Sequence, residues 1–377
     1  MKKGKIERLK NEAKTINRKR LLTEIKAPKK QKMENHTKIR INMADWAKAV
    51  AIYLVILSHT AVARPIANYA FMVEIPLFFF MSGYLFRFER NPQFKPFLKK
   101  RFRQIMVPYF SINAVTYLFW LLVGRHYGAD SSIGIPAWKP LVGILTGDSS
   151  LLYHNATMYF FTTLFNVEIL FYIIFRGRRF SARIAVTLLF AVLGGIDYYY
   201  NPIVIPLSIS HTLVAMVFYS IGHEMRSCRV FNNFINSHSV ANAVVKLSMA
   251  LVLFSVSIIL FKITGAVNLQ KREFSFYPLY FAETFVAISF IATVCSIPSA
   301  LPVVIKKIST NTLWLCGYHL MIFTFIKGFL VFVLRMDISM LDNSILPNIL
   351  FSLSALAICL CGIKILRSIR LKGILRK

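Results

Sequence analysis

Two ionisable residues, Lys48 and His59, frame the uncharged apolar stretch AVAIYLVILS. An imidazole in such surroundings is a candidate general base, because a histidine side chain exchanges its proton near neutral pH. A lysine at the opposite end is a candidate ligand for an anion. The pair therefore suggests proton transfer at one end of a segment and anion binding at the other.

Helix geometry places both side chains on one wall. Positions 48 and 59 are 11 residues apart, so a helix brings them to the same face with a separation of roughly 16 Å along its axis. Asp45, three residues before Lys48, lies within reach of an ion pair. A long phosphorylated thioester such as acyl-coenzyme A matches this wall, with its nucleotide at the lysine and its thioester at the imidazole.

The next apolar segment contains Glu74, followed by Pro76 and the Ser82-Gly83 pair. Proline and glycine interrupt a membrane helix and free backbone groups that need a buried or wet neighbour. Two interpretations stay open, a kink that makes room for a substrate beside His59 and a kink that serves packing alone. Glu168 and His319 also lie in apolar segments, where ionisable groups face the interior of a helix bundle.

A basic cluster, Lys99-Lys100-Arg101-Phe102-Arg103, stands just before Pro108-Tyr109. Arginine forks hold phosphate oxygens, which favours binding of the nucleotide end of a donor. The same charges also suit membrane topology and contact with anionic lipid. The sequence alone leaves both interpretations open.

The composition indicates which elements must position these residues. Of the 377 residues, 56% are hydrophobic and 16% are charged, and apolar runs long enough to cross a bilayer recur along the chain. The predicted fold class is all-α, a polytopic transmembrane helix bundle of about ten spans. The predicted spans are 46–63, 70–88, 105–124, 156–175, 182–197, 202–223, 240–262, 277–297, 311–334 and 345–366.

The formal net charge of +30 follows membrane topology rather than a nucleic-acid site. With ten spans, the loops on one side hold 21 lysines and arginines, and those on the other side hold six. The more basic side is the cytoplasmic one by the positive-inside rule, so both termini are predicted to be cytoplasmic. We therefore expect a multi-pass protein of the cell (inner or cytoplasmic) membrane that contacts membrane lipids and no nucleic acid.

Three regions follow from this pattern. Residues 1–44 are predicted to be a basic cytoplasmic tail, partly disordered or lying on the bilayer, residues 45–366 a transmembrane domain, and residues 367–377 a second basic cytoplasmic tail. The long outer loop 124–155 is predicted to hold a short interfacial helix near 138–146, either as a connector or as part of a lid or acceptor site. The five cysteines have no metal-ligand spacing, and no metal is expected.

Four blocks of sequence resemble the acyltransferase family 3 membrane proteins, and in particular their fucose O-acetylase-like branch. The first block, with Asp45, Lys48 and His59, and the second, IPLFFFMSGY with the basic cluster, are the specific ones. The other two are MYFFTTLF at 158–165 and STNTL at 309–313 with His319. Glu74 departs from the pattern, because this branch often has histidine there, and Ala49 replaces a usual glycine.

The resemblance implies that His59 is the catalytic histidine and that Lys48 and Arg101, with Arg103 and Asp45 beside them, bind the acyl donor. Neutral imidazole would take the proton of an acceptor hydroxyl as it attacks the thioester. Glu74 or Glu168 would orient the imidazole, and His319 would help to stabilise the oxyanion. A covalent acyl-histidine intermediate is a variant of this scheme.

The expected function is an integral-membrane O-acyltransferase. It would move an acetyl group from acetyl-coenzyme A, as donor substrate, to a hydroxyl of a cell-surface glycan or a lipid-linked glycan precursor. Succinyl transfer differs only in the donor pocket and stays open. A transporter of polysaccharide or lipid-linked sugar is the alternative from another class, and it predicts glycan movement without acyl chemistry.

Overall fold

The computed structural model describes residues 42–127, 134–201 and 205–375, with side chains up to residue 365. Within these ranges the chain is helical and forms no strand, apart from the isolated bridges Val62–Ser344 and Asn268–Glu273. Most of the predicted N-terminal tail, residues 1–41, lies outside the described residues.

Fourteen α-helices run through the described ranges. They are α1 (residues 42–58), α2 (Arg64–Leu85), α3 (Phe94–Arg101), α4 (Val107–Phe119), α5 (Lys139–Thr146), α6 (Tyr159–Phe175), α7 (Phe180–Tyr200), α8 (Ile209–Ser227), α9 (Arg229–Ile235), α10 (Val240–Thr264), α11 (Tyr277–Cys295), α12 (Val303–Thr310), α13 (Thr312–Gly328) and α14 (Leu346–Leu375). A short π-helical segment at Phe102–Met106 joins α3 to α4, and a second at Trp120–Gly124 extends α4, so that one helical stretch runs from Phe94 to Gly124.

Eight helical stretches in the described part of the chain are long and apolar enough to cross a membrane. They confirm the prediction of an all-α polytopic bundle. Each of the ten predicted spans coincides with a helical stretch, α1 and α8 being the two outside this set of eight. The number ten and the cytoplasmic side of the termini stay predictions. Helix α14 runs on to Leu375, so its end lies beyond the predicted boundary at 366.

Helix α2 lies at the centre of the bundle. In an apolar stretch of 18 residues within α2, 72% of the residues are buried. The corresponding share in α10 is 17%, so the side chains of α10 cover the outside of the bundle. Helix α2 packs against α8 and α11, while α10 packs on α11 and α13 on both α4 and α14. The carboxylate-bearing segment thus lies where other helices surround it on several sides.

Gly83 lets α2 and α8 touch backbone to backbone. A Cβ at Gly83 would lie 1.9 Å from the carbonyl oxygen of Tyr219, and one at Gly222 would lie 2.1 Å from that of Phe80. No side chain fits at either point, so Gly83 serves helix packing. Pro76 lies within α2, and the helix continues through it to Leu85.

Pro108 is accommodated by the π-helical segment that precedes it. Proline has no N–H, so a regular α-helix would lose the hydrogen bond from position 108 to the carbonyl of Gln104. The π segment Phe102–Met106 covers this point and carries the helix from α3 into α4. The basic cluster therefore lies on the same continuous helical stretch as the following apolar span.

Candidate active site

His59 is the first residue after α1, and its ring is half-buried. Its Nδ1 lies 2.8 Å from the carbonyl oxygen of Val55, one helical turn earlier. A carbonyl only accepts hydrogen bonds, so Nδ1 carries the proton of the neutral imidazole. The unprotonated Nε2 is then the basic atom, as a general base requires.

Ser58 connects this imidazole to Glu74 of α2. Its hydroxyl lies 2.9 Å from Glu74 Oε2 and 3.2 Å from His59 Nδ1. Glu74 is 2% exposed, and its described hydrogen-bond partner is this neutral hydroxyl rather than a cation. The structure therefore brings Glu74 to the predicted catalytic histidine, through Ser58.

His319 of α13 stacks edge-on against His59, with 5.3 Å between the ring centroids. Its Nδ1 faces the carbonyl oxygens of Leu315 and Cys316 at 3.1 and 2.9 Å, so Nδ1 again carries the proton. Among the described residues its buried Nε2 has no hydrogen-bond partner. A neutral His319 therefore offers a hydrogen-bond acceptor at Nε2. The predicted role, donation to an oxyanion, requires the ring to be protonated at Nε2 as well.

The turn of α13 that precedes His319 is tied to the segment just before α6. Asn155 donates to the carbonyl of Gly317 at 2.6 Å, and Thr157 donates to that of Cys316 at 3.0 Å. Asn155 is 1% exposed and Thr157 4%, so both bonds are shielded from solvent. These bonds fix the position of the His319 ring through its own backbone.

A cavity of about 310 Å³, measured with its open mouth, lies between His59 and Glu74. Its walls come from three places: the end of α1 with α2, the start of α6, and the loop between α10 and α11. The lining residues are Val55, His59, Phe71, Glu74, Ile75, Thr157, Tyr159, Asn268, Leu269 and Gln270. The loop residues 268–270 are more than 200 positions from His59, and no local pattern in the sequence indicated them.

Glu168 lies elsewhere, in an ion pair with Arg101. Arg101 Nε is 2.7 Å from Glu168 Oε2, and the carboxylate side chain is 6% exposed. Glu168 follows Tyr159, a cavity residue, by nine positions on α6, which is roughly 14 Å along the helix. The expectation that Glu168 orients the imidazole is therefore not met, because its carboxylate neutralises Arg101 at a different depth of the bundle.

The predicted donor-binding residues fall into two groups. Lys48 Nζ lies 3.4 Å from Asp45 Oδ1, which confirms the ion pair predicted from their spacing. Arg101 is held by Glu168 and lies over the ring of Phe97, 5.6 Å from its centroid. Arg103 is exposed, as are Lys99 and Lys100. No contact within the described residues joins Lys48 to Arg101.

His154, in the loop between α5 and α6, lies near but outside the cavity lining. Its Nε2 is 2.8 Å from Oδ1 of Asn113 on α4, and its ring packs edge-on against Tyr117. Burial lowers the pKa of His154 to about 4. The short helix predicted near 138–146 is present as α5, and this loop joins α5 to the tied segment 155–157.

The fold and this cavity define a helical membrane protein with a histidine–carboxylate pair set in a polar recess. The chain matches the family model described as an acyltransferase domain, Acyl_transf_3, over residues 42–366. It therefore belongs to the acyltransferase 3 family and is a membrane acyltransferase. No curated protein and no solved structure matches the chain.

Proposed function

We propose that the chain is an O-acyltransferase that moves an acetyl group from acetyl-coenzyme A to a hydroxyl of a cell-surface glycan or a lipid-linked glycan precursor. The observation that carries this proposal is the state of His59. Its Nδ1 is held by the Val55 carbonyl, so its basic Nε2 is free to accept a proton, and the His59 side chain lines a recess that is open to solvent.

In the proposed step, His59 Nε2 takes the proton of the acceptor hydroxyl while the hydroxyl oxygen attacks the thioester carbonyl carbon. The new C–O bond forms, the tetrahedral intermediate collapses, and the C–S bond breaks. The imidazolium then returns the proton to the departing thiolate, so the products are an ester and free coenzyme A. Glu74, acting through Ser58, stabilises the imidazolium that exists between these two transfers.

Donor and acceptor are proposed to approach from opposite ends of α1. The nucleotide of the donor would bind at the Lys48 end, and its pantetheine arm would span the roughly 16 Å to His59. The acceptor would enter beside the loop between α10 and α11, which the charge bias predicts to lie outside. Exposed Arg103, with Lys99 and Lys100, supports phosphate binding more directly than Arg101, whose charge Glu168 already neutralises.

Purified full-length protein with radiolabelled acetyl-coenzyme A and a panel of methyl glycosides tests the proposal. Replacing His59→Gln should reduce ester formation by about 1000-fold, the scale of lost general base catalysis. His238→Gln is the matched control, because His238 is an exposed histidine between α9 and α10. Transfer at the wild-type rate in His59→Gln would refute the mechanism. A parallel series with succinyl-coenzyme A decides between acetyl and succinyl transfer.

A further inference from the structure

The wall of the cavity that comes from the α10–α11 loop is a closed hairpin, residues 267–274. Asn268 and Glu273 exchange backbone hydrogen bonds of 2.9 and 3.0 Å, and the Asn268 side chain accepts a bond from the Lys271 N–H. Leu269 and Phe274 are 2% and 3% exposed. A loop with buried apolar side chains at both ends is a packed part of the bundle rather than a free connection.

Two anchors fix the tip of this hairpin. His211 Nε2 and Ser149 Oγ both reach the backbone carbonyl of Gln270, at 3.0 and 3.2 Å. Arg272 forms an ion pair of 2.9 Å with Asp197 at the end of α7. The backbone of Gln270 is therefore held in place while its residue faces the cavity.

The Gln270 side-chain amide has no hydrogen bond to any described residue, although Gln270 lines the cavity and is only half-exposed. An amide offers two donors and one acceptor oxygen in a fixed plane, which suits a pair of neighbouring hydroxyl groups. Asn268 and Thr157 add further neutral polar groups to the same walls. Asn268 and Thr157 have protein partners of their own, whereas a polar side chain such as the Gln270 amide, which lines a cavity without such a partner, is suited to binding a polar ligand.

The ionisable residues of the cavity lining also restrict which ligands it can bind. The cavity lining contains one carboxylate, Glu74, and neither lysine nor arginine. The two basic residues of the hairpin do not supply the missing cation, because Lys271 is exposed and Arg272 is paired with Asp197. An anionic sugar in this cavity would place its carboxylate near the Glu74 carboxyl group, with no lysine or arginine in the lining to compensate the charge.

We propose that the hairpin forms the acceptor subsite, that this subsite takes an uncharged sugar, and that the Gln270 amide binds its ring hydroxyls. The inference rests on the proposed function, since it names the acceptor class for the same cavity. Selection works in two ways: the Gln270 amide pairs with hydroxyls, and the lack of a cation in the lining disfavours uronates.

Matched pairs of methyl glycosides that differ only at carbon 6 test this inference. We would measure kcat/KM of the full-length protein for glucoside against glucuronide, galactoside against galacturonide, and mannoside against mannuronide. The wild type should prefer the neutral member by about tenfold or more, because an unpaired buried charge is rejected. Gln270→Lys should lower that ratio at least about tenfold by supplying a cation. Lys271→Gln, at the exposed neighbouring position, should leave the ratio unchanged.

Equal efficiency with neutral and acidic sugars in the wild type, or an unchanged ratio in Gln270→Lys, would overturn the inference while leaving acyl transfer intact. Failure of the proposed function looks different, because then no glycoside receives an acyl group. In that case saturation-transfer NMR of the same glycosides decides the inference by binding alone. Preferential binding of the neutral sugar that Gln270→Lys diminishes supports the subsite, and equal binding of both sugars refutes it.

Discussion

Two buried carboxylates, Glu74 and Glu168, are set in opposite ways within one bundle. Glu168 pairs with the Arg101 guanidinium at 2.7 Å, in packed surroundings. Glu74 lies beside a cavity, where its described partner is the Ser58 hydroxyl next to His59. The difference shows that a carboxylate in a membrane helix can be interpreted only together with its partner, since Glu168 pairs with a cation and Glu74 lines a cavity.

The same contrast between paired and unpaired polar groups occurs elsewhere in the bundle. Arg183 and Glu224 form a second paired site, with two contacts of 2.6 and 2.8 Å. Against the His59 ring, by contrast, lies His319, whose buried Nε2 has no hydrogen-bond partner among the described residues. Paired groups hold helices together, whereas unpaired polar groups beside a cavity are available to a ligand.

The largest expected effect breaks the paired carboxylate. Glu168→Gln leaves the partly buried Arg101 charge without its carboxylate partner and should lower the free energy of unfolding by about 3 kcal/mol. Equilibrium unfolding in mixed micelles with increasing denaturing detergent measures this loss. The double variant Arg101→Met with Glu168→Leu should recover most of the stability, because both charges are then removed. Full stability of Glu168→Gln alone would show that the ion pair contributes little.

His154, whose Nε2 donates to Asn113 outside the cavity, should affect stability through pH. Burial lowers its pKa from 6.5 to about 4, so between these values the unfolded chain binds a proton that the folded chain does not. The folded state therefore loses up to about 3 kcal/mol as the pH falls from 7 to 4, and it regains that stability as the pH rises. Unfolding of wild type and His154→Gln across this range measures the difference.

The His154→Gln variant should show a flatter pH dependence, since glutamine can still donate to Asn113 and does not titrate. A parallel profile in the two proteins would mean that His154 binds protons equally in both states. A change in the pH profile of acyl transfer instead of stability would assign His154 to the reaction, and so blur the distinction between paired and cavity groups.

Glu74, the carboxylate that lines the cavity, should affect catalysis more than stability, the reverse of what is expected for Glu168. Glu74→Gln keeps an oxygen for the Ser58 hydroxyl, so stability should change by less than about 1 kcal/mol. An amide cannot take up a negative charge to stabilise the His59 imidazolium, so kcat should fall by about 100-fold. Steady-state kinetics and unfolding on the same preparation measure both quantities. A variant that is unstable yet fully active per folded molecule would place Glu74 with Glu168, among the structural groups.

The smallest expected effect concerns Lys48. Lys48→Gln should raise KM for acetyl-coenzyme A by about threefold at unchanged kcat, the scale of a partly exposed charge contact. Asp45→Asn releases Lys48 from its ion pair and should lower the same KM. Initial rates over a range of donor concentrations at low salt test both variants. Equal KM values in the two variants would exclude Lys48 from donor binding.

Local features were predictable from the sequence. Asp45 and Lys48 are three residues apart, and such a spacing on a helix brings two side chains together whatever surrounds them. The helix near 138–146 followed from the composition of its own residues. The role of Gly83 was not decidable, because the Tyr219 carbonyl that excludes a side chain there belongs to a helix more than a hundred residues later.

The sequence by itself determined the all-α membrane bundle and the candidacy of His59. Apolar runs must become helices in a bilayer, since each run satisfies its own backbone hydrogen bonds only in that form. Tertiary structure alone decided the partners: Glu74 for His59, Arg101 for Glu168, and the Gln270 hairpin for the cavity wall. These contacts join residues far apart in the chain, so they depend on how the helices pack, which hydrophobic periodicity does not specify.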